Sequence, residues 1–249
     1  MVYLITTFEP LRIPFLPQFV EHYLLLGVDR FLLSLQIEPD EKPAIAEHAT
    51  KQSARALQPY GIDLAATLVQ PFNSANLRIH HDKLQDEHCD ASDWTIWADI
   101  DEYQVYPGDF GTLLEFADSL GLDYFHGYLV DRVSADGRLR AFDSAKSVWM
   151  QYLRRFTPPG SDPAQKIWKV SCARPHVPIS RGNHFPIGHE TFKYYVEPVE
   201  IHHFKWDDTV VQRLSRRLLP DFRDACEWWT ESRDLLAYIQ KHGRVASAE

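Results

Sequence analysis

Cysteine is scarce in this sequence of 249 residues, which contains only Cys89, Cys172 and Cys226. Three scattered thiols are too few for a disulfide framework or for a zinc site built from thiolates, and they favour a reducing cytoplasm. Long apolar runs are also missing, since even FLPQFVEHYLLLGV is interrupted by Pro17 and Glu21. We therefore expect no membrane-spanning segment and, from the opening MVYLITTFEPL, no signal peptide.

An excess of basic residues is absent too. Lys and Arg number 26 against 35 Asp and Glu, which gives a formal net charge of -9. A protein that binds nucleic acid non-specifically needs a basic surface, so we expect no nucleic-acid partner. A hydrophobic fraction of 45% and a charged fraction of 24% are those of a water-soluble globular protein. The length suits one substantial domain, and no internal repeat is visible.

The first hundred residues alternate apolar strand-like runs with amphipathic helical stretches. Strands are predicted at 2–8, 30–36, 61–70 and 94–100, and helices at 14–26, 41–58 and 74–90. This β-α-β-α-β-α-β order is typical of a Rossmann-like nucleotide-binding half, with a mixed, mainly parallel sheet flanked by helices. The pair His80 and His81 falls on a polar helix, where we expect solvated surface.

The second half is more irregular and richer in Pro, Gly and aromatic residues. Strands are predicted at 122–134, 147–153, 166–172 and 196–206, helices at about 208–218 and 221–241, and a loop that could act as a lid at 156–165. No linker separates the halves. We therefore predict one continuous domain over 1–249, with a nucleotide-binding half at 1–103 and an acceptor-side half at 104–249.

The most informative segment is WTIWADIDEY, residues 94–103, which places three carboxylates directly after an aromatic strand. Strand alternation puts Asp99 and Asp101 on one face, at the carboxyl end where open α/β sheets bind ligands. Burying these charges is costly unless a cation shares the site, and Mg²⁺ or Mn²⁺ would serve. The plain alternative is an acidic turn in water. Phosphatases with an Asp nucleophile also use D-x-D, but after their first strand, which here ends in Thr6, Thr7 and Phe8.

The acidic segment resembles one found in glycosyltransferases of the GT-A fold. The match is to the family-2-like group of bacterial enzymes related to the family-92 transferases. The segment resembles their W-x-x-x-x-D-x-D-E-[FY], and three more stretches resemble theirs in order: FLPQFVEHYLLLGVDRFLL, YLVDRVSADGRL and EIHHFKW. The resemblance covers most of the chain up to about residue 215. It departs after the first strand, where the group has an Asn-Glu pair and this chain has Thr7, Phe8 and Glu9.

The resemblance implies a metal-dependent transfer of sugar from a nucleotide-diphosphate donor, most commonly a UDP-sugar, to a hydroxyl of a carbohydrate or glycoconjugate, in polysaccharide assembly. It implies Mn²⁺ or Mg²⁺ held by Asp99, Asp101 and a late His, for which His203 fits better than His202. Asp131 is the candidate general base for an inverting reaction, and Glu102 orients Asp101 or faces the sugar. Candidate nucleotide contacts are Thr6, Glu9, Asn76, Arg78 and Asp99. The rear-half aromatic residues suit sugar stacking, although most are expected in the core: Trp149, Tyr152, Trp168, Tyr194 and Tyr195.

Two other classes of protein remain open. A metal-dependent phosphoesterase or nucleotidyltransferase also needs paired Asp residues and a His. Nucleotidyltransferases usually carry a Gly-rich phosphate loop after the first strand, whereas this chain has no Gly before Gly27. A non-catalytic carbohydrate-binding protein with the same fold is the third reading. The sequence does not identify the sugar, the base, the acceptor, or inversion against retention.

Overall fold

In the computed structural model of the chain, residues 1–157, 165–220 and 229–245 are described. The strands are β1 Val2–Phe8, β2 Arg30–Ile37, β3 Leu64–Val69, β4 Trp94–Trp97, β5 Glu102–Val105, β6 Tyr124–Val133, β7 Arg154–Arg155, β8 Trp168–Ala173 and β9 Tyr194–His203. The helices are α1 Leu16–Leu26, α2 Pro43–Leu57, α3 Ser74–His88, α4 Phe110–Leu120, α5 Val148–Gln151, α6 Val210–Arg217 and α7 Trp229–His242. A 3₁₀ helix, Pro10–Phe15, links β1 to α1.

The chain forms two compact units, one of Met1–Leu129 with Ile167–Ile201 and a second of Val130–Lys166 with His202–Glu249. The first unit contains a mixed sheet in the order β3-β2-β1-β4-β8-β6-β9-β5. Strands β3, β2, β1 and β4 are parallel, while β8 is antiparallel to both β4 and β6. The predicted α/β class, with a Rossmann-like front and a mixed sheet flanked by helices, is confirmed.

Capping and terminating residues close in sequence explain where most of the predicted helices begin and end. Helix α1 ends at Gly27, whose φ of 104° is costly for a residue with a side chain, and Asn73 caps α3 by accepting hydrogen bonds from two backbone amides. The apolar faces of β1, β4 and α3 meet in a core that includes Tyr3, Ile5 and Trp97. These elements place the carboxyl ends of β1 and β4 side by side.

The second unit has its own apolar core. Trp206 is fully buried there, together with Val133 at the end of β6, Leu214 of α6 and Leu235 of α7. Strand β7 pairs with the end of β6 in the same unit. Each unit therefore buries apolar surface of its own.

Several predicted elements differ from the structure. The strand expected at 147–153 contains the short helix α5. The fourth strand stops at Trp97, because the chain turns between Asp99 and Glu102 before β5. Helix α4 was not predicted, although Asp109 caps it and Gly121 ends it. Most of the predicted lid at 156–165, and the start of the helix at 221–241, lie outside the described residues. The single domain over 1–249, with halves at 1–103 and 104–249, stays a prediction.

None of the described helices is both long and apolar enough to cross a lipid bilayer.

Strand β6 approaches β9 closely at Gly127. A Cβ atom there would lie 2.6 Å from the backbone oxygen of Val199 and 3.0 Å from the Ile201 side chain. We expect Gly127→Ala to lower the free energy of unfolding by about 1–3 kcal/mol, because the strands must separate to admit the methyl group. Urea unfolding measures this change. Gly108→Ala is the control, since nothing lies within 4 Å of its Cβ position. Equal stability of the two variants would contradict the prediction.

Candidate functional site

The order of the parallel strands creates a topological switch point in the first unit. The chain runs from β1 to β2 and β3 on one side, and then returns to add β4 on the other side of β1. Both neighbours are parallel to β1, with Ile5 beside Leu32 in β2 and beside Trp97 in β4. In open α/β sheets, ligands bind outside the carboxyl ends of strands at such a point. The acidic segment begins there.

The three carboxylates of the acidic segment differ sharply in exposure. The Asp99 side chain is 61% exposed, whereas Asp101 and Glu102 are buried. A turn separates them, in which the Glu102 amide donates to the Asp99 carbonyl at 2.8 Å and the Asp99 amide donates to Glu102 Oε2 at 3.3 Å. Because the turn interrupts strand alternation, Asp99 reaches solvent while the other two carboxylates point inward.

Two buried cations neutralise the inward carboxylates. Arg12 Nη2 lies 2.8 Å from Asp101 Oδ2, and Lys169 Nζ lies 2.5 Å from Glu102 Oε1 and 3.5 Å from Asp99 Oδ2. Burial alone would lower the pKa of Lys169, but the attraction of Asp99 and Glu102 outweighs it, so that pKa is raised. The charge that permits burial of this segment therefore comes from the chain itself.

Neither cation was predicted from the sequence to pair with the acidic segment. Arg12 stands alone in the apolar segment PLRIPF, and Lys169 is flanked by Trp168 and Val170 in β8. A lone cation in an apolar segment needs a buried anion, and that is the signal that could have identified them. Because the acidic partners are distant in sequence, this signal indicates that each cation needs a buried anion but does not identify which one.

Helix α3 lies over the ends of β1 and β2 and is tied to them by two histidines. His81 Nε2 is hydrogen bonded to Thr7 Oγ1 at 2.9 Å, and His80 Nε2 to Ser34 Oγ at 2.8 Å. Burial lowers the pKa of both imidazoles, that of His81 to about 3. The expectation that both are solvated surface residues is wrong, because each bonds a strand hydroxyl under the helix. Both are therefore neutral at pH 7.

Arg78 of α3 lies across the indole of Trp97, with its Cζ 4.0 Å from the ring centroid. Its Nε donates to Asp82 Oδ1 at 2.8 Å, and the side chain is only 11% exposed. Its buried Nη1 has no hydrogen-bond partner within residues 1–157, 165–220 and 229–245. A guanidinium with a donor to spare, beside the switch point, is suited to bind an anion.

The other predicted nucleotide contacts occupy varied environments. Thr6 is buried in β1, and its Oγ1 has no hydrogen-bond partner in the described part of the chain. Glu9 is half-buried and immediately precedes the 3₁₀ helix, and Asn76 is exposed in the first turn of α3. The structure thus places Thr6, Asn76, Arg78 and the acidic segment on elements of the switch point.

The second unit contains the predicted base and the predicted late histidine. Asp131 Oδ1 lies 3.0 Å from His203 Nδ1 and 3.9 Å from Lys205 Nζ. Burial raises the pKa of Asp131, but Lys205 and His203 outweigh it, so that pKa is lowered. A lowered pKa makes Asp131 a weaker proton acceptor than a solvated Asp. Its catalytic role stays a prediction.

The predicted metal site also stays a prediction. Across the described ranges, no group of three or more His, Cys, Asp or Glu side chains is placed to hold a metal ion. Asp101 is engaged by Arg12, and His203 contacts Asp131. Of the predicted ligands Asp99, Asp101 and His203, only Asp99 has a largely exposed side chain.

No protein-family model matches this chain, and no match to a curated protein was found. Among solved structures, the chain is similar to a mannose-1-phosphate geranyltransferase from Thermus thermophilus, with 13% sequence identity and a TM-score of 0.28. The match covers 95% of this chain, which spans 64% of the length of that one. A likeness at this level does not determine function.

Proposed function

We propose that the protein is a glycosyltransferase that moves a sugar from a nucleotide-diphosphate donor to a hydroxyl of a carbohydrate or glycoconjugate. The observation that carries the proposal is the switch point between β1 and β4. The exposed Asp99 follows β4, and Arg78, which is suited to bind an anion, lies across Trp97 at the end of β4. A nucleotide diphosphate needs a cation for its phosphates, and the carboxyl ends of parallel strands are where such ligands bind.

Helix α3 supplies the main support for binding of the nucleotide. Arg78 would bind a phosphate through its guanidinium, whose buried Nη1 has no hydrogen-bond partner among the described residues, and the bonds of His80 and His81 to strand hydroxyls fix the helix on the sheet. Burial lowers the pKa of both imidazoles and so disfavours their charged forms, which means that they add no second cation beside Arg78 at pH 7. A rigid helix with one available guanidinium group favours a small, anionic ligand.

A divalent cation fits this edge through Asp99. Its exposed carboxylate would hold Mn²⁺ or Mg²⁺ shared with the phosphates of the donor, since both ions prefer oxygen ligands. When bound, such a cation stabilises negative charge that develops on the leaving diphosphate. Direct ligation by Asp101 would require that Asp101 give up its bond to Arg12.

The melting temperature tests the nucleotide site. We expect one of UDP, GDP, CMP and dTDP, at ten times its Kd, to add about 1.4 kcal/mol and raise the melting temperature by about 3–5 °C. The shift should be larger with Mn²⁺. Asp99→Asn should lose the Mn²⁺-dependent part, and Arg78→Met should lose most of the shift. Asp86→Asn, which removes an exposed carboxylate on the same helix, is the matched control.

A wild-type protein whose melting temperature no nucleotide changes would contradict the proposal, as would an unchanged shift in both variants. Reaction products separate glycosyl transfer from its alternatives. Glycosyl transfer breaks the sugar–phosphate bond of the donor and releases a nucleoside diphosphate only when an acceptor is present. Release of pyrophosphate from a nucleoside triphosphate and a sugar 1-phosphate would instead identify a nucleotidyltransferase, and acceptor-independent cleavage of the donor a phosphoesterase.

A further inference from the structure

Three neighbouring strands of the first unit carry a row of touching aromatic side chains. Trp168 of β8, His126 of β6 and Tyr194 of β9 form this row, which we call the aromatic platform. The His126 ring lies 5.2 Å from Trp168 and 5.0 Å from Tyr194, centroid to centroid. Tyr128, which pairs with Trp168 across β6 and β8, extends the row with its ring 5.9 Å from the indole. The platform is continuous across β8, β6 and β9.

Two rings of the platform are open to solvent, unlike most aromatic residues in the described ranges, while His126 and Tyr128 are half-buried. Trp168 is 44% exposed and Tyr194 is 47% exposed, and Val196, two residues along β9 from Tyr194, is exposed as well. By contrast, Tyr195 faces the opposite side and packs against Phe125. Large apolar side chains that lie exposed together on one sheet face mark a binding surface more often than scattered single residues do.

Strand geometry fixes where the platform lies. Because β8 is antiparallel to both β4 and β6, the start of β8 is at the same sheet edge as the carboxyl ends of β4 and β6. Trp168 is the first residue of β8, and the next residue, Lys169, binds Glu102 and contacts Asp99. Trp168 therefore lies at the sheet edge of the acidic turn, on the opposite face of β8 from Lys169, and the platform extends from it toward the start of β6.

The chemistry of the platform fits a sugar. The C–H faces of a pyranose ring carry partial positive charge and pack on the negative faces of aromatic rings, while its hydroxyls need polar partners at the rim. Tyr128 and Glu200 provide such partners, joined by a hydrogen bond of 3.0 Å. Burial lowers the pKa of His126, so its ring adds no positive charge at pH 7. With the Glu200 carboxylate at the rim of the platform and a net charge of -9 on the protein, an uncharged ligand is favoured over an anionic one.

We propose that the aromatic platform binds an uncharged oligosaccharide, by stacking sugar rings on Trp168 and Tyr194, and that this oligosaccharide is the acceptor. The acceptor role rests on the function proposed above, whereas the binding itself does not. The spacing of two exposed rings with His126 between them suits a chain of several sugars rather than a single one.

Isothermal titration with uncharged hexasaccharides tests the platform. The probes are cellohexaose, maltohexaose and laminarihexaose, with a hyaluronan hexasaccharide as the charged comparison. We expect at least one uncharged probe to bind, and Trp168→Ala and Tyr194→Ala each to weaken it roughly tenfold. Phe116→Ala is the matched control, because Phe116 is 49% exposed and lies on α4, outside the platform. That variant should bind as the wild type does.

Failure of every uncharged probe to bind, binding that both platform variants retain in full, or tighter binding of the hyaluronan probe would overturn the inference. The melting shift with nucleotide, measured in Trp168→Ala and Tyr194→Ala, shows that both variants are folded and have an intact nucleotide site. Oligosaccharide binding without any nucleotide effect in the wild type would uphold the platform and reject the glycosyltransferase. A nucleotide effect without oligosaccharide binding would reject the platform and uphold the nucleotide site.

Discussion

Replacing Lys169 by methionine is expected to lower the free energy of unfolding by about 3–5 kcal/mol, the cost of leaving one member of a buried ion pair without its partner. Lys169 and Glu102 are both almost completely buried, with 2.5 Å between Nζ and Oε1. Methionine keeps most of the apolar stem of lysine and removes the charge, so the loss comes mainly from the buried Glu102 carboxylate, which no longer faces the charge of Lys169. Equilibrium urea unfolding at pH 7 measures it.

The double variant Lys169→Met, Glu102→Gln makes the interpretation specific. Once the carboxylate is neutral, most of the lost stability should return, because no unpaired charge remains buried. Lys83→Met is the control for removal of a lysine, since its pair with Glu87 is exposed on α3 and worth under about 1 kcal/mol. If Lys169→Met were as stable as Lys83→Met, the buried pair described here would be wrong.

Acid is expected to destabilise the protein through His81 by about 3 kcal/mol between pH 6.5 and pH 4. The folded-state pKa of His81 is lowered from 6.5 to about 3, mainly by burial and then by Arg78. Between these values the unfolded chain binds a proton that the folded protein does not. The contribution is therefore complete above pH 6.5 and is lost as pH falls. Urea unfolding at a series of pH values measures the slope.

Carboxylates also titrate in this range, so the test compares variants. His81→Gln keeps a side chain able to bond Thr7 and removes the titrating ring, and its stability should fall less steeply below pH 6.5. His48→Gln is the matched control for loss of a histidine, because His48 is exposed on α2. Identical slopes for wild type and His81→Gln would show that His81 is not held in its neutral form.

The front of the fold was predictable because its signals are local. Apolar runs such as VYLITTF, the capping residue Asn73 and the terminating Gly27 each act within a few residues. The rear was harder to predict. SVWMQYL has the composition of a strand, yet four of its residues form a helix, because tertiary contacts override weak propensities in short segments.

The candidate site was located by sequence but its charges were assigned incompletely. The acidic segment was identified correctly as a place that needs positive charge. The actual sources, Arg12 and Lys169, are 89 and 67 residues away from their partners. No periodicity links such distant positions, so the pattern could not show that chain cations supply the charge. Likewise His80 and His81 resembled polar surface, because the strand hydroxyls that bind them are remote in sequence.

The uneven burial of the acidic turn has a consequence for mutagenesis. The usual experiment replaces both Asp residues of such a motif with alanine and takes the loss of activity as proof of a role in catalysis. Here Asp101→Ala would remove the carboxylate that lies 2.8 Å from the buried Arg12 guanidinium, so inactivity would reflect damage to the fold. Asp99 alone offers a clean experiment, because its carboxylate is largely in solvent and its removal leaves both buried pairs in place.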